Sequence, residues 1–364
     1  MRWTRKFFNQ FEWLHKPISP LEESFLLPLQ INKSGSLISE RLGLKLPDKY
    51  WSIIDGYLYF SDEYWKLFLQ LGTLQLPKRI KTEIDISSKR WITKVLPEYQ
   101  KEINKLNKLS LNELSVKKLL ELFKKTGELE SWFFSESLYV GVVCGITELL
   151  FKYSYPLFVK DSDNNNYREL LLGYPDKGID MDTQLWEVAQ ISDEQKKQLQ
   201  LGKWIEKYGY RIQDKDLIYP TLGEETELLN SYLKLYRETL NPKLKLMLTN
   251  EKRINREKFV KQNARFRIRL FEWILNQAQN YSQIRNSRPF YYQGNSIMRK
   301  ILFSIKLKAN FPQDKNDIFY ITMKELEEVV SNKFSKESLQ KIINERKQTY
   351  YKQLLIEPQF SIEA

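Results

Sequence analysis

The sequence predicts a mainly α protein, a long-helix bundle with a small irregular N-terminal part that contains a short β-hairpin. Three observations carry that expectation. Gly and Pro number only 13 each in 364 residues, too few for a fold dense in tight turns. Apolar residues make up 42% of the chain and aromatic residues 14%, enough to fill a sizeable core. From about residue 110 onward, the apolar positions recur at helical spacing. The chain divides on this reading into an irregular part over 1–100 and a helical part over 101–358, the latter with a break near 154–180.

Taken in order, Pro17, Pro20, Pro28, Pro47, Pro77 and Pro97 punctuate the first hundred residues and argue against long helices there. Trp51 to Ile54 and Tyr57 to Phe60 flank Asp55-Gly56, a pair that tolerates the positive φ angles of a tight hairpin, so a hairpin is expected near 51–60. Ser110-Leu111-Asn112-Glu113 has capping-box spacing and predicts a helix start there, running to Gly127. A second helix follows from Trp132 to Leu150. That apolar stretch approaches membrane-spanning length, but Glu136 and Glu148 interrupt it, and a mid-membrane acid costs about 2.5–3.5 kcal/mol on insertion scales. It reads as a buried core helix and not as a membrane span. Beyond the break come helices around Asp182 to Gln190 and Asp193 to Tyr208, then one carrying Leu229, Tyr232, Leu233 and Tyr236 that stops before Pro242. A helical pattern from Glu251 to Ala309 should kink or split at Pro289, and Ser335 should cap a last helix reaching Leu355.

The chemistry is mostly exclusion. Lys and Arg exceed Asp and Glu by 58 to 46, and the excess is spread along the chain, which describes a solvated basic surface. It admits an anionic metabolite, an acidic protein or nucleic acid as partner, with nucleic acid not favoured. One cysteine, Cys144, in an apolar run leaves no disulfide framework and fits a reducing cytoplasm; no secretory signal opens the chain. The single histidine, His15, makes hydrolase triads and most zinc sites poor readings. Asp161, Asp163 and Asn165 have the spacing of calcium ligands, but Leu172 stands where a bidentate Glu is needed, so a solvated turn is expected and no metal site. No Gly-rich phosphate loop is present. The remaining candidates are arginines among aromatics: Arg253, Arg256, Arg265, Arg267 and Arg269 before Trp273, and Arg285 and Arg299 after it. An arginine fork suits phosphate or carboxylate, although arginines on helices also pair with neighbouring acids.

Four segments carry a resemblance. Leu171-Leu172-Gly173-Tyr174-Pro175-Asp176-Lys177 through Leu185-Trp186-Glu187-Val188-Ala189, Tyr208-Gly209-Tyr210-Arg211 with Asp216-Leu217-Ile218-Tyr219-Pro220 and Glu224, and Asp317-Ile318-Phe319-Tyr320-Ile321-Thr322-Met323-Lys324-Glu325-Leu326 are three of them. The fourth is Glu12 with Pro17-Ile18-Ser19-Pro20-Leu21 and the hairpin. Together they resemble the central helical domain of the phosphoenolpyruvate synthase and rifampicin phosphotransferase family. In complete members an ATP-grasp domain precedes this region and a swivelling phosphohistidine domain follows it. The resemblance therefore implies a substrate-binding component that has no catalytic residue of its own and takes part in phosphoryl transfer with separate ATP-grasp and phosphohistidine proteins, which would supply ATP and Mg. Tyr210 stands where the family has His and Ile212 where it often has Gly, while Arg211 is retained. On this basis Lys177, Arg211, Arg285 and Arg299 are candidate substrate-binding cations. Trp132, Trp186, Trp204 and Trp273 are candidate pocket walls, with plain core packing the alternative for each. The second functional reading is a non-enzymatic helical binding protein that recognises an acidic partner, an anionic metabolite or nucleic acid.

Overall fold

The computed structural model describes residues 2–5, 14–69, 76–263, 268–309, 311 and 314–363. Glu12, Arg265 and Arg267 lie outside them. The fold is mainly α, with one four-stranded antiparallel sheet.

Its axis is a single helix, α5 (Val116–Phe158), where the sequence suggested two. A glycine inside a helix costs only about 1 kcal/mol relative to Ala. Around Gly127 the side chains of Phe123, Thr126, Glu130 and Ser131 are all buried, so packing carries the helix through. The start also differs from expectation. Ser110 opens only a 3-10 turn, Leu111–Glu113, and Ser115 is the cap of α5, its hydroxyl accepting the Lys118 amide at 3.3 Å. Among the described residues α5 alone is long and apolar enough to cross a membrane; half of its most apolar window is buried inside the fold. The two acids of the apolar stretch from Trp132 to Leu150 are paired, Glu136 with Arg41 at 2.8 Å and with Arg90, and Glu148 with Arg285.

Against α5 pack α1 (Leu27–Leu42), α10 (Ile268–Ser287) and α11 (Gly294–Lys308). The main core they form draws on residues from Leu21 to Tyr350, with Phe123, Phe133, Met298, Leu302 and Phe319 fully buried in it. Each such side chain contributes about 1.5–3 kcal/mol of burial free energy. Helices are longer in the first hundred residues than the prolines suggested: α1 has 16 residues, α3 (Leu76–Arg90) has 15 and α4 (Leu96–Leu106) has 11. Pro28 and Pro97 stand inside continuous helical runs, each just after a π-helical turn, Glu22–Leu26 and Trp91–Val95. The widened turn absorbs the hydrogen bond that a proline inside a helix cannot donate, so these prolines do not break the helices.

The hairpin forms as expected. β2 (Trp51–Ile54) pairs with β3 (Tyr57–Ser61), Ile54 opposite Tyr57, across Asp55 and Gly56 at φ 51° and 83°. β1 (Arg2–Thr4) lies on the other edge of β3, and β4 (Ser361–Glu363) pairs with β1, Trp3 opposite Ile362. The two ends of the chain thus share one sheet.

A separate hydrophobic cluster is built by α6 (Lys177–Ala189), α7 (Glu194–Tyr208) and α8 (Thr226–Glu238), around Leu185, Leu201, Trp204, Leu229 and Leu233. Asp176 caps α6 through the Ile179 amide and Asp193 caps α7 through the Lys196 amide. The break before α6 contains the polar run, in which Asp161 accepts the Tyr155 hydroxyl at 2.7 Å and pairs with Arg256 at 3.0 Å. The chain then continues through α9 (Pro242–Asn263), which begins nine residues earlier than the pattern from Glu251 suggested. Pro289 ends the next stretch as expected, in a 3-10 turn between α10 and α11. Ser335 caps α13 (Lys336–Leu354) through the Ser338 amide.

Candidate functional site

Between the α6–α8 cluster and the main core lies a cleft of about 500 Å³. Junctions between packed units are where ligand clefts commonly form. Met181, Asp182 and Leu185 of α6, Trp204 of α7, and Tyr232 and Tyr236 of α8 line one side. The segment Arg211 to Lys215, with His15, Pro289 and Tyr292, lines the other.

The 211–215 segment is held by backbone geometry that the sequence explains locally. Gly209 and Gly223 cross so closely that the Gly223 amide donates to the Gly209 carbonyl at 2.8 Å, and a Cβ on Gly209 would stand 3.1 Å from the Gly223 Cα. Ile212 then bridges to Thr221. Thr221 and Glu224 form a capping box, the Thr221 amide donating to Glu224 at 2.8 Å. Arg299 of α11 fastens this turn: its Nε donates to Glu224 Oε2 at 2.8 Å, its Nη2 to Oε1 at 3.1 Å, and its Nη1 to the Leu217 carbonyl. Burial alone would raise the Glu224 carboxyl, but Arg299 and Thr221 outweigh it and hold it below the ordinary carboxylate value.

Beneath the cleft the segment is anchored to the N-terminal part. Asp216 accepts from the Ser19 amide at 2.5 Å and from its hydroxyl at 2.6 Å, and Asp214 accepts the His15 amide at 3.2 Å. Burial pushes the Asp216 carboxyl up to about 6, with the bonds from Ser19 and Ile218 opposing. Asn295 donates to the Lys215 carbonyl at 2.7 Å. The Lys215 side chain turns inward, 3% exposed, its Nζ 3.1 Å from the Phe134 ring centre and 5.3 Å from that of Tyr292.

Of the residues singled out from sequence, Arg211 and Trp204 line this cleft. Arg211 lies over the Phe290 ring at 3.9 Å, and the Trp204 indole donates to the Met181 carbonyl at 3.1 Å. Lys177 lies over the adjoining Tyr291 ring at 3.9 Å; burial and then Lys207 lower its pKa, against Asp180. The others are elsewhere. Trp186 donates to the Thr239 carbonyl and Trp273 to Asp85, while Trp132 and Trp273 pack against the main core. Arg285 is in a surface pair with Glu148, and Arg299 is a fastener behind the cleft. Arg253 pairs with Glu257 and Arg256 with Asp161 and Glu169.

Sequence reasoning missed Asp182, Asp214, Lys215 and Tyr292. The only signal was the triplet Asp214-Lys215-Asp216, which reads as a solvated loop because adjacent opposite charges are ordinary at surfaces. Burial raises the Asp182 carboxyl, opposed by the Tyr236 hydroxyl and by Arg211. Chemically the cleft offers a cation, two carboxylates, four aromatic walls and an inward lysine. Among the described residues no group of three or more His, Cys, Asp or Glu side chains is arranged to hold a metal. Compared with known proteins, the chain matches no family model and no curated protein.

Proposed function

We propose that the chain is a ligand-binding component related to the central domain of the phosphoenolpyruvate synthase and rifampicin phosphotransferase family. On this reading it takes part in phosphoryl transfer only with separate ATP-grasp and phosphohistidine proteins, which bring ATP and Mg. One observation carries the reading: residues of the resembling segments that lie far apart in sequence meet at one cleft. Leu185 of the α6 segment lines it, as does Arg211 of the next, while Asp216 and Glu224 hold its floor and rim. The fastening by Arg299 supports the same reading, because a cleft built to present Arg211 needs a rigid frame.

The test is a thermal-shift screen with phosphorylated, pyruvate-like and polyketide-like compounds, run on the wild type and on Arg211→Ala and Trp204→Phe. A ligand that binds the folded state raises its melting temperature. The expected result is a rise with one of these classes that Arg211→Ala abolishes. Equal rises in all three proteins, or none, would remove the cleft from the proposal. Recovery of ATP-grasp and phosphohistidine proteins on affinity purification from the native host is the matching expectation for partners.

A second reading, a non-enzymatic protein that binds an acidic partner, an anionic metabolite or nucleic acid, is supported by the net charge of +12. Nucleic-acid binding whose affinity falls steeply with salt would favour it. A flat salt response would count against it.

A further inference from the structure

A surface helix of a folded protein turns its apolar stripe inward and its charges to water. The first half of α9 does the reverse. Leu244, Met247 and Leu248, at the i, i+3 and i+4 positions that share one face, are 43%, 66% and 48% exposed. The opposite face meets the protein mostly with polar side chains. Asn250 lies against Gly173, where a Cβ would stand 2.6 Å from the Asn250 Cα. Arg253 is 4.2 Å from the Tyr174 ring centre and donates to Glu257 at 2.6 Å, and Arg256 donates to Glu169 at 2.8 Å and to Asp161 at 3.0 Å. In the second half Phe259 and Val260 pack inward in the usual way. Leu240, in the connection before α9, and Leu235, in the last turn of α8, are exposed as well. Apolar side chains gathered on an outward face mark a surface that something covers.

We infer that this face docks on an anionic lipid bilayer, with Leu244, Met247 and Leu248 entering the boundary between headgroups and acyl chains. Charge selects this occupant. Lys243 borders the stripe on one side, and Lys245 and Lys252, two turns apart, border it on the other; all three are exposed. Residues 234 to 252 carry five basic side chains and two acidic ones, and the nearest acid from another element is Glu187 of α6, 3.4 Å from Lys243. Lysine stems lie along apolar neighbours while their ammonium groups reach the phosphates, and an apolar stripe between basic flanks is the pattern of a helix lying in the plane of such a surface. A second copy fits less well. Pairing this face with itself about a twofold axis sets lysines against lysines, which like charges oppose. A stable protein interface also takes about 20–30 residues a side, whereas the apolar residues exposed between 235 and 248 number five.

The experiment is co-sedimentation of the full chain with vesicles of phosphatidylcholine alone and of phosphatidylcholine mixed in equal parts with phosphatidylglycerol. The expected result is binding to the mixed vesicles only, weakened by salt. Each lysine near an anionic surface contributes about fivefold, so Lys245→Gln with Lys252→Gln should weaken binding roughly 25-fold. Lys336→Gln with Lys341→Gln, at exposed positions on α13, removes the same charge and should leave binding within about twofold, since charges beyond a Debye length of the surface are screened. Leu244→Ser with Leu248→Ser, at exposed positions that the fold does not need, should weaken it about tenfold or more. Absence of binding to the mixed vesicles, or equal binding to both kinds, overturns the inference, and neither needs a substituted protein to be seen. Equal losses in the two lysine pairs, or a serine pair that binds as the wild type does, overturns it as well. A dimer that the serine pair dissolves, without vesicle binding, would make a second copy the occupant and refute the lipid. Arg211→Ala should bind the mixed vesicles as the wild type does even if it abolishes the thermal shift of a cleft ligand; a loss of vesicle binding there would move the contact to the cleft and overturn the assignment to α9.

Discussion

Asp216 accepts three hydrogen bonds beneath the cleft, from the Ser19 amide and hydroxyl and from the Ile218 amide, and its burial gives stability a pH dependence of definite sign. The folded-state value is about 6 against an ordinary 3.8. Because the folded value is the higher, the native state holds the proton more tightly. The associated stabilisation is fully present below the unfolded value and is lost as pH rises through the folded one, by about 3 kcal/mol in all. Asn at this position loses one acceptor at every pH but does not titrate. Urea unfolding from acid to neutral pH should therefore show the wild type losing stability relative to Asp216→Asn across that window and running parallel above it. Parallel curves throughout would show that Asp216 titrates normally. At the same scale, Gly209→Ala places a Cβ against the Ile205 carbonyl and the Gly223 Cα, an overpacking that costs about 1–3 kcal/mol. Its effect should reach the cleft, since Arg211 is two residues away. A substituted protein with unchanged melting temperature and unchanged ligand response would mean that the crossing is looser than its geometry implies.

At the scale of elements, helix starts offer the cleanest comparison, because two serines compete for the beginning of α5. Ser115 accepts the Lys118 amide, whereas Ser110 makes no side-chain cap. Removing a serine cap costs about 1 kcal/mol. Ser115→Ala should lower stability by that amount and Ser110→Ala by almost nothing, as measured by chemical denaturation. The reverse order would restore the earlier start. This pair also shows what was legible in the sequence. The helix start near Asp193, the cap at Ser335, the hairpin at Asp55-Gly56 and the interruption at Pro289 were readable because each depends on residues within a few positions. The continuity of α5 through Gly127 was not, since it depends on distant side chains burying the residues on both sides. The prolines of the first hundred residues misled for a related reason: Pro28 and Pro97 are carried inside continuous helices by π-helical turns just before them, which the local sequence does not mark. For the site, Arg211 and Trp204 were readable from a motif and an aromatic count. Lys215 was not, because its burial is created by Phe134 and Tyr292, some eighty residues away on either side.

The whole molecule is closed by its two ends. β4 pairs along β1, the Arg5 amide donates to the Phe360 carbonyl at 3.0 Å, and the Tyr59 hydroxyl donates to the Gln359 carbonyl at 3.0 Å. Tyr57 reaches the carbonyls of Gln353 and Ile356, so the hairpin is tied to the end of α13 as well as to β4. The Arg5 guanidinium, near the Tyr57 and Tyr59 rings, donates to the Leu58 carbonyl at 2.9 Å and to that of Leu14 at 3.4 Å, which joins the sheet to the segment leading to His15 and Ser19. A mechanical path therefore runs from the terminal strand through the sheet to the residues that hold Asp214 and Asp216 under the cleft. Deleting residues 357–364 should leave β1 as an exposed edge and the Tyr59 hydroxyl without its acceptor, each a loss of about 0.5–1.5 kcal/mol per hydrogen bond. Hydrogen exchange should then quicken at Arg5 first, and at Ile218 and Tyr219 as well if the path transmits. Faster exchange confined to residues 2–5 would show that the sheet and the cleft floor are independent. Unchanged exchange at Arg5 would mean that the pairing with β4 does not hold the strand.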